Sequence, residues 1–145
     1  NSVFKIGAYY HSGIFESFSQ DSNVKGNHAF YAIVDHSIDD SISVFSRIGF
    51  NPKSDRSAVT HYFDLGVNLN GFVESRPDDT LGIAYSRTSF SSDDAIRPAE
   101  EVFEITYASQ LTAIWSIQPS IQWILNARKT SNAALVAGIR LTADF

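Results

Sequence analysis

The segment from Trp115 to Leu125 (WSIQPSIQWIL) constrains the fold more than any other, because it alternates apolar and uncharged polar residues. A period of two places successive side chains on opposite faces, so the segment predicts a β-strand with one apolar and one polar face. The apolar face carries Trp115 at one end and Trp123 near the other, about 26 Å apart at roughly 3.3 Å per residue. Outer-membrane barrels have an apolar band about 25 Å tall between two aromatic girdles. Alternation alone favours a soluble sandwich strand, so the choice depends on the rest of the chain.

The composition excludes several other classes of protein. No apolar run reaches the roughly 18 residues of a membrane helix, which excludes helical membrane proteins and leaves barrels open. The chain has no cysteine, so disulfides and thiolate metal sites are excluded. Its net charge is -5 and its basic residues are scattered, so we expect no nucleic-acid partner. No signal peptide precedes Asn1, and we therefore expect a processed product or a fragment.

Seven other segments resemble the first in length and residue pattern. The eight predicted strands are residues 3–12, 28–37, 42–50, 59–70, 80–90, 101–112, 115–125 and 133–145. The segment 28–37 is partly apolar on both faces, so its faces stay unassigned. Most of the segments have about nine to twelve residues, against about five or six for a strand of a globular protein. This length favours a transmembrane antiparallel β-barrel over a soluble sandwich.

The connections predict how the strands are oriented. Long or polar connections follow the odd-numbered strands, over residues 13–27, 51–57, 91–100 and 126–132. Shorter links, 38–41 and 113–114, follow the second and sixth strands, and the longer segment 71–79 is the exception. Long external loops and short periplasmic turns produce this asymmetry. We therefore expect both ends of the chain on the periplasmic side.

Six segments, in this order and spacing, resemble the carboxy-terminal half of carbohydrate-selective porins of the OprB family. They are GNHAFYAIVDHSI, SVFSRIGF, SRPDDTLGIAYSR, FEITYASQLT, WSIQPSIQWILN and ALVAGIRLTADF. The resemblance runs from about Tyr9 to Phe145, and the run from Arg76 to Gly82 (RPDDTLG) is among its most specific pieces. It implies one barrel segment over residues 1–145, holding eight strands of a sixteen-stranded barrel in the bacterial outer membrane. It also implies that the family accommodates Pro119 in a strand, at a bulge.

Two departures from the family bear on function. The turn after Asn126 reads Ala127-Arg128-Lys129, where the family has a Pro-Gly-Gly-like sequence. The amino-terminal half of the barrel is absent, and a closed barrel of eight strands has an interior filled by side chains. A sugar pore therefore requires the remaining half of the barrel, from missing strands or from a second chain. Copies of the chain are a further candidate partner, in a homo-oligomer, and the sequence leaves the oligomeric state open.

A sugar pore requires a hydrated constriction lined by hydrogen-bonding groups, and its selectivity follows from width and lining. The candidate lining residues are Arg47, Tyr62, Asp64, Asn68, Glu104, Gln110, Gln118, Gln122 and Arg140. The four charged members of this set would equally serve as an ion-pair ladder that stiffens the wall. Trp115 and Trp123 are the candidate anchors at the two membrane interfaces. Outer-membrane lipid is thus a second expected partner beside the carbohydrate.

Signals of catalysis are weak. The histidines at positions 11, 28, 36 and 61 have no metal-type spacing on a shared face. Asp78 and Asp79 follow Arg76-Pro77 and are typical of a turn that enters a strand. We find no phosphate-binding loop and no nucleophile elbow, so we expect no enzyme, no cofactor and no metal site.

The predicted function is passive, carbohydrate-selective diffusion of sugars into the periplasm. An alternative from another class is a non-conducting outer-membrane barrel that anchors another protein or assists its assembly. A third is a soluble β-barrel that binds a small ligand.

Overall fold

Eight β-strands form one antiparallel sheet in which every strand pairs with the next along the sequence. The computed structural model describes residues 1–92, 99–126 and 132–144. The strands are β1 (Ser2–Glu16), β2 (Asn23–Ser37), β3 (Ile42–Phe50), β4 (Val59–Asn70), β5 (Thr80–Phe90), β6 (Ala99–Gln110), β7 (Trp115–Leu125) and β8 (Ala134–Ala143). Within these described ranges, β1 pairs only with β2 and β8 only with β7. The sheet therefore has two open edges and is not a closed barrel.

Strands β3, β4, β5 and β7 begin and end where the alternation predicts. The loop predicted over residues 13–27 is wrong at both ends, because β1 continues to Glu16 and β2 begins at Asn23. The cause is a register shift between His11 and Ile14, opposite Gly26, whose φ is 80°. A bulge adds one residue on one strand, so the period-two pattern stops there although the strand continues.

The remaining boundaries differ by small amounts. β6 covers Ala99–Gln110, where 101–112 was predicted, and β8 covers Ala134–Ala143, where 133–145 was predicted. Phe145 lies outside the described residues. Residues 38–41, 71–79 and 111–114 connect strands at one end of the sheet, which we call the turn end. Residues 17–22 and 51–58 connect strands at the opposite end, the loop end; the other two loop-end connections lie largely outside the described residues.

Strand pairing gathers the polar residues of neighbouring strands on one side of the sheet, the polar face. Arg47 on β3 lies opposite Asp64 on β4, which in turn lies opposite Ser86 on β5. The other side, the apolar face, carries most of the large hydrophobic side chains, and Ile6 on it is 89% exposed. Among the described residues Ala99 is the only buried apolar one. A soluble sandwich would bury one face in a core, so this exposed apolar face favours the membrane barrel.

Pro119 interrupts the hydrogen-bonded ladder between β6 and β7. The pairing ends at Thr106 opposite Ser120 and resumes at Ser109 opposite Ile117. The register is the same on both sides of this gap, so the structure accommodates the proline through lost pairing and not through the expected bulge. Proline has no backbone N–H, which accounts for the gap.

In the ranges that the structure describes, no helix is long and apolar enough to cross a membrane.

Candidate functional site

Arg47, Tyr62 and Asp64 form a hydrogen-bonded cluster on the polar face. Arg47 Nε donates to Asp64 Oδ1 at 3.0 Å, and Arg47 Nη2 lies 2.5 Å from Asp64 Oδ2. The Tyr62 hydroxyl donates to Asp64 Oδ2 at 2.6 Å. Asp64 is 3% exposed, whereas the Arg47 side chain is 52% exposed. Arg47 Nη1 has no partner among the described residues, so the cluster presents two oriented N–H donors to solvent.

Asp64 holds this arginine in a fixed orientation. A bidentate arginine–carboxylate pair fixes the plane of the guanidinium as well as its position. The Arg47 Cζ atom also lies 5.6 Å from the centre of the Phe45 ring. The Phe45 ring in turn lies against Gly66, where an added Cβ would collide with it. Gly66 therefore lets the ring lie close to the sheet beneath the arginine.

Tyr31 on β2 occupies a similar position beside Gly7 on β1. The tip of its ring lies over Gly7, where an added Cβ would collide with the ring. Tyr31 is 47% exposed, and its strand neighbour on the other side is Gly49. Sequence reasoning did not select Tyr31, because both faces of β2 are partly apolar and its pairing with Gly7 depends on a register that the sequence does not show.

The remaining predicted lining residues fall into separate places on the sheet. Glu104 lies opposite Gln122, and Gln118 accepts a hydrogen bond from Arg140 Nη1 at 3.5 Å. Glu104, Gln118 and Arg140 together line a shallow depression near Gly138. Asn68 lies opposite Gly82, next to Thr106.

Gln110 does not join the wall in this way. It ends β6, and its Nε2 donates to Thr112 O at 2.5 Å within the following turn. Among the four charged residues of the predicted ladder, the described part of the chain contains one ion pair, between Arg47 and Asp64.

A second charged cluster fastens the turn 71–79 to the end of β6. Arg76 Nε donates to Asp79 Oδ2 at 3.0 Å, and Arg76 Nη2 donates to Asp79 Oδ1 at 3.2 Å and to the Ser109 hydroxyl. The Tyr107 hydroxyl and the Gln110 backbone N–H complete the shell at 2.8 and 3.1 Å. Chiefly because of Arg76, the pKa of Asp79 falls to about 2. This geometry agrees with the expectation that Asp79 belongs to a turn that leads into a strand.

The loop end is held together by hydrogen bonds between its connections. Asn27 Nδ2 donates to Ser57 Oγ at 2.8 Å, and Asn51 Nδ2 donates to Asn27 Oδ1 at 3.0 Å. Arg56 Nη1 donates to the backbone carbonyls of Lys25 and Gly26 at 3.0 and 2.9 Å. The backbone N–H of residue 18 also donates to the carbonyl of residue 55 at 2.7 Å. Residues 17–22 and 51–58 are therefore fastened to β2 and to each other.

The apolar face carries a row of aromatic rings across four strands, from Phe63 through Tyr85 and Phe103 to Trp123. Their centroids lie 5.6, 4.7 and 6.4 Å apart in that order. Next to this row, towards the loop end, Arg87 Nη1 donates to Glu101 at 2.8 Å. Trp115 lies at the turn end of the same face. The two tryptophans thus occupy opposite ends of β7, as an anchoring role requires.

Comparison with known proteins completes this description. The sequence model of a family described as "Carbohydrate-selective porin, OprB family" matches residues 1–145. No curated protein matches the chain. A solved structure, the high-pH structure of Pseudomonas putida OprB, superposes with a TM-score of 0.92 at 16% sequence identity. The superposition covers 99% of this chain and 44% of that one, so the chain spans less than half the length of the solved porin. At this identity the likeness shows the fold.

Proposed function

Because the chain belongs to the OprB family of carbohydrate-selective porins, which are outer-membrane proteins, we propose that its polar face lines a pore for the passive diffusion of sugars into the periplasm. The observation that supports this proposal is the division of the sheet into an exposed apolar face and a polar face. The first face suits contact with lipid and the second suits a water-filled lumen. A channel of this kind needs no nucleophile, no cofactor and no metal.

The open edges of the sheet bear on how the pore is completed. We propose that residues 1–145 supply the carboxy-terminal eight strands of a sixteen-stranded barrel. Further strands, from the same polypeptide or from a second chain, then pair with β1 and β8. A closed barrel of eight strands would leave no room for a sugar. Association of complete barrels into homo-oligomers would leave this arrangement unchanged.

Arg47 and its neighbours supply the solute contacts in this proposal. The free N–H groups of Arg47 donate to sugar hydroxyls, and the hydroxyl of Tyr62 accepts from them. The proposed lining also includes Asn68, Glu104, Gln118, Gln122 and Arg140, with Gln110 at its turn-end rim. Trp115 and Trp123 anchor the wall at the two membrane interfaces.

The decisive experiment combines native mass spectrometry of the detergent-purified protein with conductance and sugar uptake in lipid vesicles. We expect a particle with more than eight strands that conducts ions and admits glucose. A lone chain of 16.0 kDa without conductance would overturn the proposal and favour a membrane anchor.

A matched pair of arginine variants tests the role of the polar face. Arg47 and Arg87 both lie on central strands and both pair with a carboxylate, but on opposite faces of the sheet. Arg47→Gln should slow glucose uptake by about two- to tenfold, the equivalent of one hydrogen bond. Arg87→Gln should leave glucose uptake unchanged. Equal effects of the two variants would contradict a role for Arg47 in solute contact.

A further inference from the structure

Gly49 forms the floor of an open trough on the polar face. Its strand neighbours are Tyr31 on β2 and Tyr62 on β4. Tyr31 leans away from it over Gly7, and Tyr62 turns along its own strand towards Asp64. An added Cβ at Gly49 would meet the Tyr62 Cβ at 3.8 Å and no other atom within 4 Å. Neither tyrosine ring therefore covers the backbone of Gly49, which lies between the two tyrosines.

Two polar side chains close the ends of this trough, one on β3 and one directly after it. Arg47 stands at one end, with the free N–H groups on Nη1 described above. Asn51 stands at the other, buried and fixed by its hydrogen bond to Asn27. Three strands span about 10 Å and four residue steps about 13 Å, so the trough has room for one sugar ring.

We propose that this trough is the subsite that holds a pyranose ring during passage, an inference that rests on the proposed function. The flat C–H face of the sugar lies on the exposed ring of Tyr31. One sugar hydroxyl accepts from Arg47 Nη1 and another donates to the Tyr62 oxygen, whose own proton goes to Asp64. Asp64 is a positioning residue, because it is buried under its two partners and does not reach the solute.

The chemistry of the trough predicts which solutes it distinguishes. Small-molecule sites combine aromatic or apolar surface with a few placed polar groups. A pyranose offers a rigid C–H face for Tyr31, whereas an open-chain alditol offers similar hydroxyls without that face. The subsite should therefore favour cyclic sugars over alditols of the same carbon number.

The test measures how glucose and sorbitol block the ion current of the complete protein in planar bilayers. Tyr31→Leu should weaken block by glucose by roughly five- to tenfold, the effect of one lost aromatic contact. Tyr31→Phe keeps the ring and should stay within about twofold of the wild type. Gly49→Ala fills the trough without a collision, so it should weaken block and leave thermal stability unchanged. The control is Tyr10→Leu, which replaces an exposed tyrosine on the apolar face and should have no effect on the block by glucose.

The outcomes separate the two proposals. If glucose blocks both Tyr31→Leu and Gly49→Ala as strongly as it blocks the wild type, the subsite is overturned and the sugar pore stays intact. Equal block by glucose and sorbitol would do the same. A wild-type protein that neither conducts nor admits glucose would overturn the pore and the subsite together.

Discussion

Asp64 is an acidic residue buried on a face that otherwise meets water, and its hydrogen-bond partners explain how it is tolerated. Charge-assisted hydrogen bonds from Arg47 and Tyr62 replace the water that burial removes. Half of the Arg47 side chain remains in solvent, which screens the pair and limits its contribution to stability. The main consequence of the ion pair between Arg47 and Asp64 is therefore the fixed orientation of the guanidinium.

Asp64→Asn should lower the free energy of unfolding by about 1 kcal/mol, because it leaves a buried site with weakened hydrogen bonds. It should also shift the reversal potential in a KCl gradient towards anion selectivity, since Arg47 loses its counter-charge. For the stability measurement, Glu104→Gln is the matched control, because it changes a carboxylate on the same face without an ion pair among the described residues. Equal stability losses in the two variants would contradict the role given to Asp64.

Gly66→Ala should destabilise the protein, because its methyl group would collide with the Phe45 ring. Overpacking of this kind costs about 1 to 3 kcal/mol when the neighbour has to move. Gly49→Ala is the matched control, because its methyl group enters open space. Thermal unfolding in detergent measures the difference, and equal melting temperatures for the two variants would show that the ring moves freely.

At the residue scale, the sequence predicts which side chains share a face but not which ones touch. The alternation places Arg47 and Asp64 on polar faces, and their contact follows from a register that only the structure gives. The close approach of Tyr31 to Gly7 likewise depends on the register between β1 and β2, which the sequence does not give. A contact between an aromatic residue and a glycine of the neighbouring strand therefore cannot be predicted from the pattern of either strand alone.

The turn 71–79 is the element with the clearest dependence on pH. Arg76 lowers the pKa of Asp79 to about 2, below the value of about 3.9 expected in an unfolded chain. A lowered folded-state pKa gives stabilisation that is present above about pH 4 and lost as pH falls towards about 2. Asp79→Asn should remove this part of the acid dependence.

The measurement is thermal unfolding of both proteins between pH 2 and pH 7. The melting temperature of Asp79→Asn should lie below that of the wild type at neutral pH and approach it in acid. Asp78→Asn, at the exposed neighbouring carboxylate, should follow the wild type throughout. A constant gap between wild type and Asp79→Asn at every pH would contradict the assignment.

The alternation predicted the bounds of four strands, and the largest error lies at the bulge between β1 and β2. The bounds of β3, β4, β5 and β7 agree with prediction, although β4 has a register shift between Val59 and His61 at its first residues. β1 and β2 continue past the bulge at His11 and Ile14 into residues that look like a loop by composition. Hydrogen bonding with the neighbouring strand, and not hydropathy, keeps those residues extended.

The open edges define the molecule as a whole, and they are testable because the chain contains no cysteine. Ile6 lies opposite Ala32 on the neighbouring strand, whereas Ile139 lies on the far edge strand β8. Directly opposed residues in antiparallel strands have Cα atoms about 4.5 to 5.5 Å apart, within reach of a disulfide. Ile6→Cys with Ala32→Cys should cross-link on mild oxidation, whereas Ile6→Cys with Ile139→Cys should not.

Electrophoresis without reducing agent reports both results. The pair on β1 and β2 is the positive control for access of the oxidant. An intramolecular bond between β1 and β8 would show a barrel closed on eight strands and would contradict the wide pore.

The hydrogen bonds at the loop end have a consequence for resistance to proteolysis. Trypsin cleaves after lysine and arginine, and a protease engages only chain that has left its native structure. Arg56 is bound to the carbonyls of Lys25 and Gly26, and residue 18 is bound to residue 55. Opening one loop therefore requires release of its neighbours and of the end of β2. Residues 17–22 and 51–58 therefore protect each other against digestion, in a chain that has no cysteine to form a disulfide.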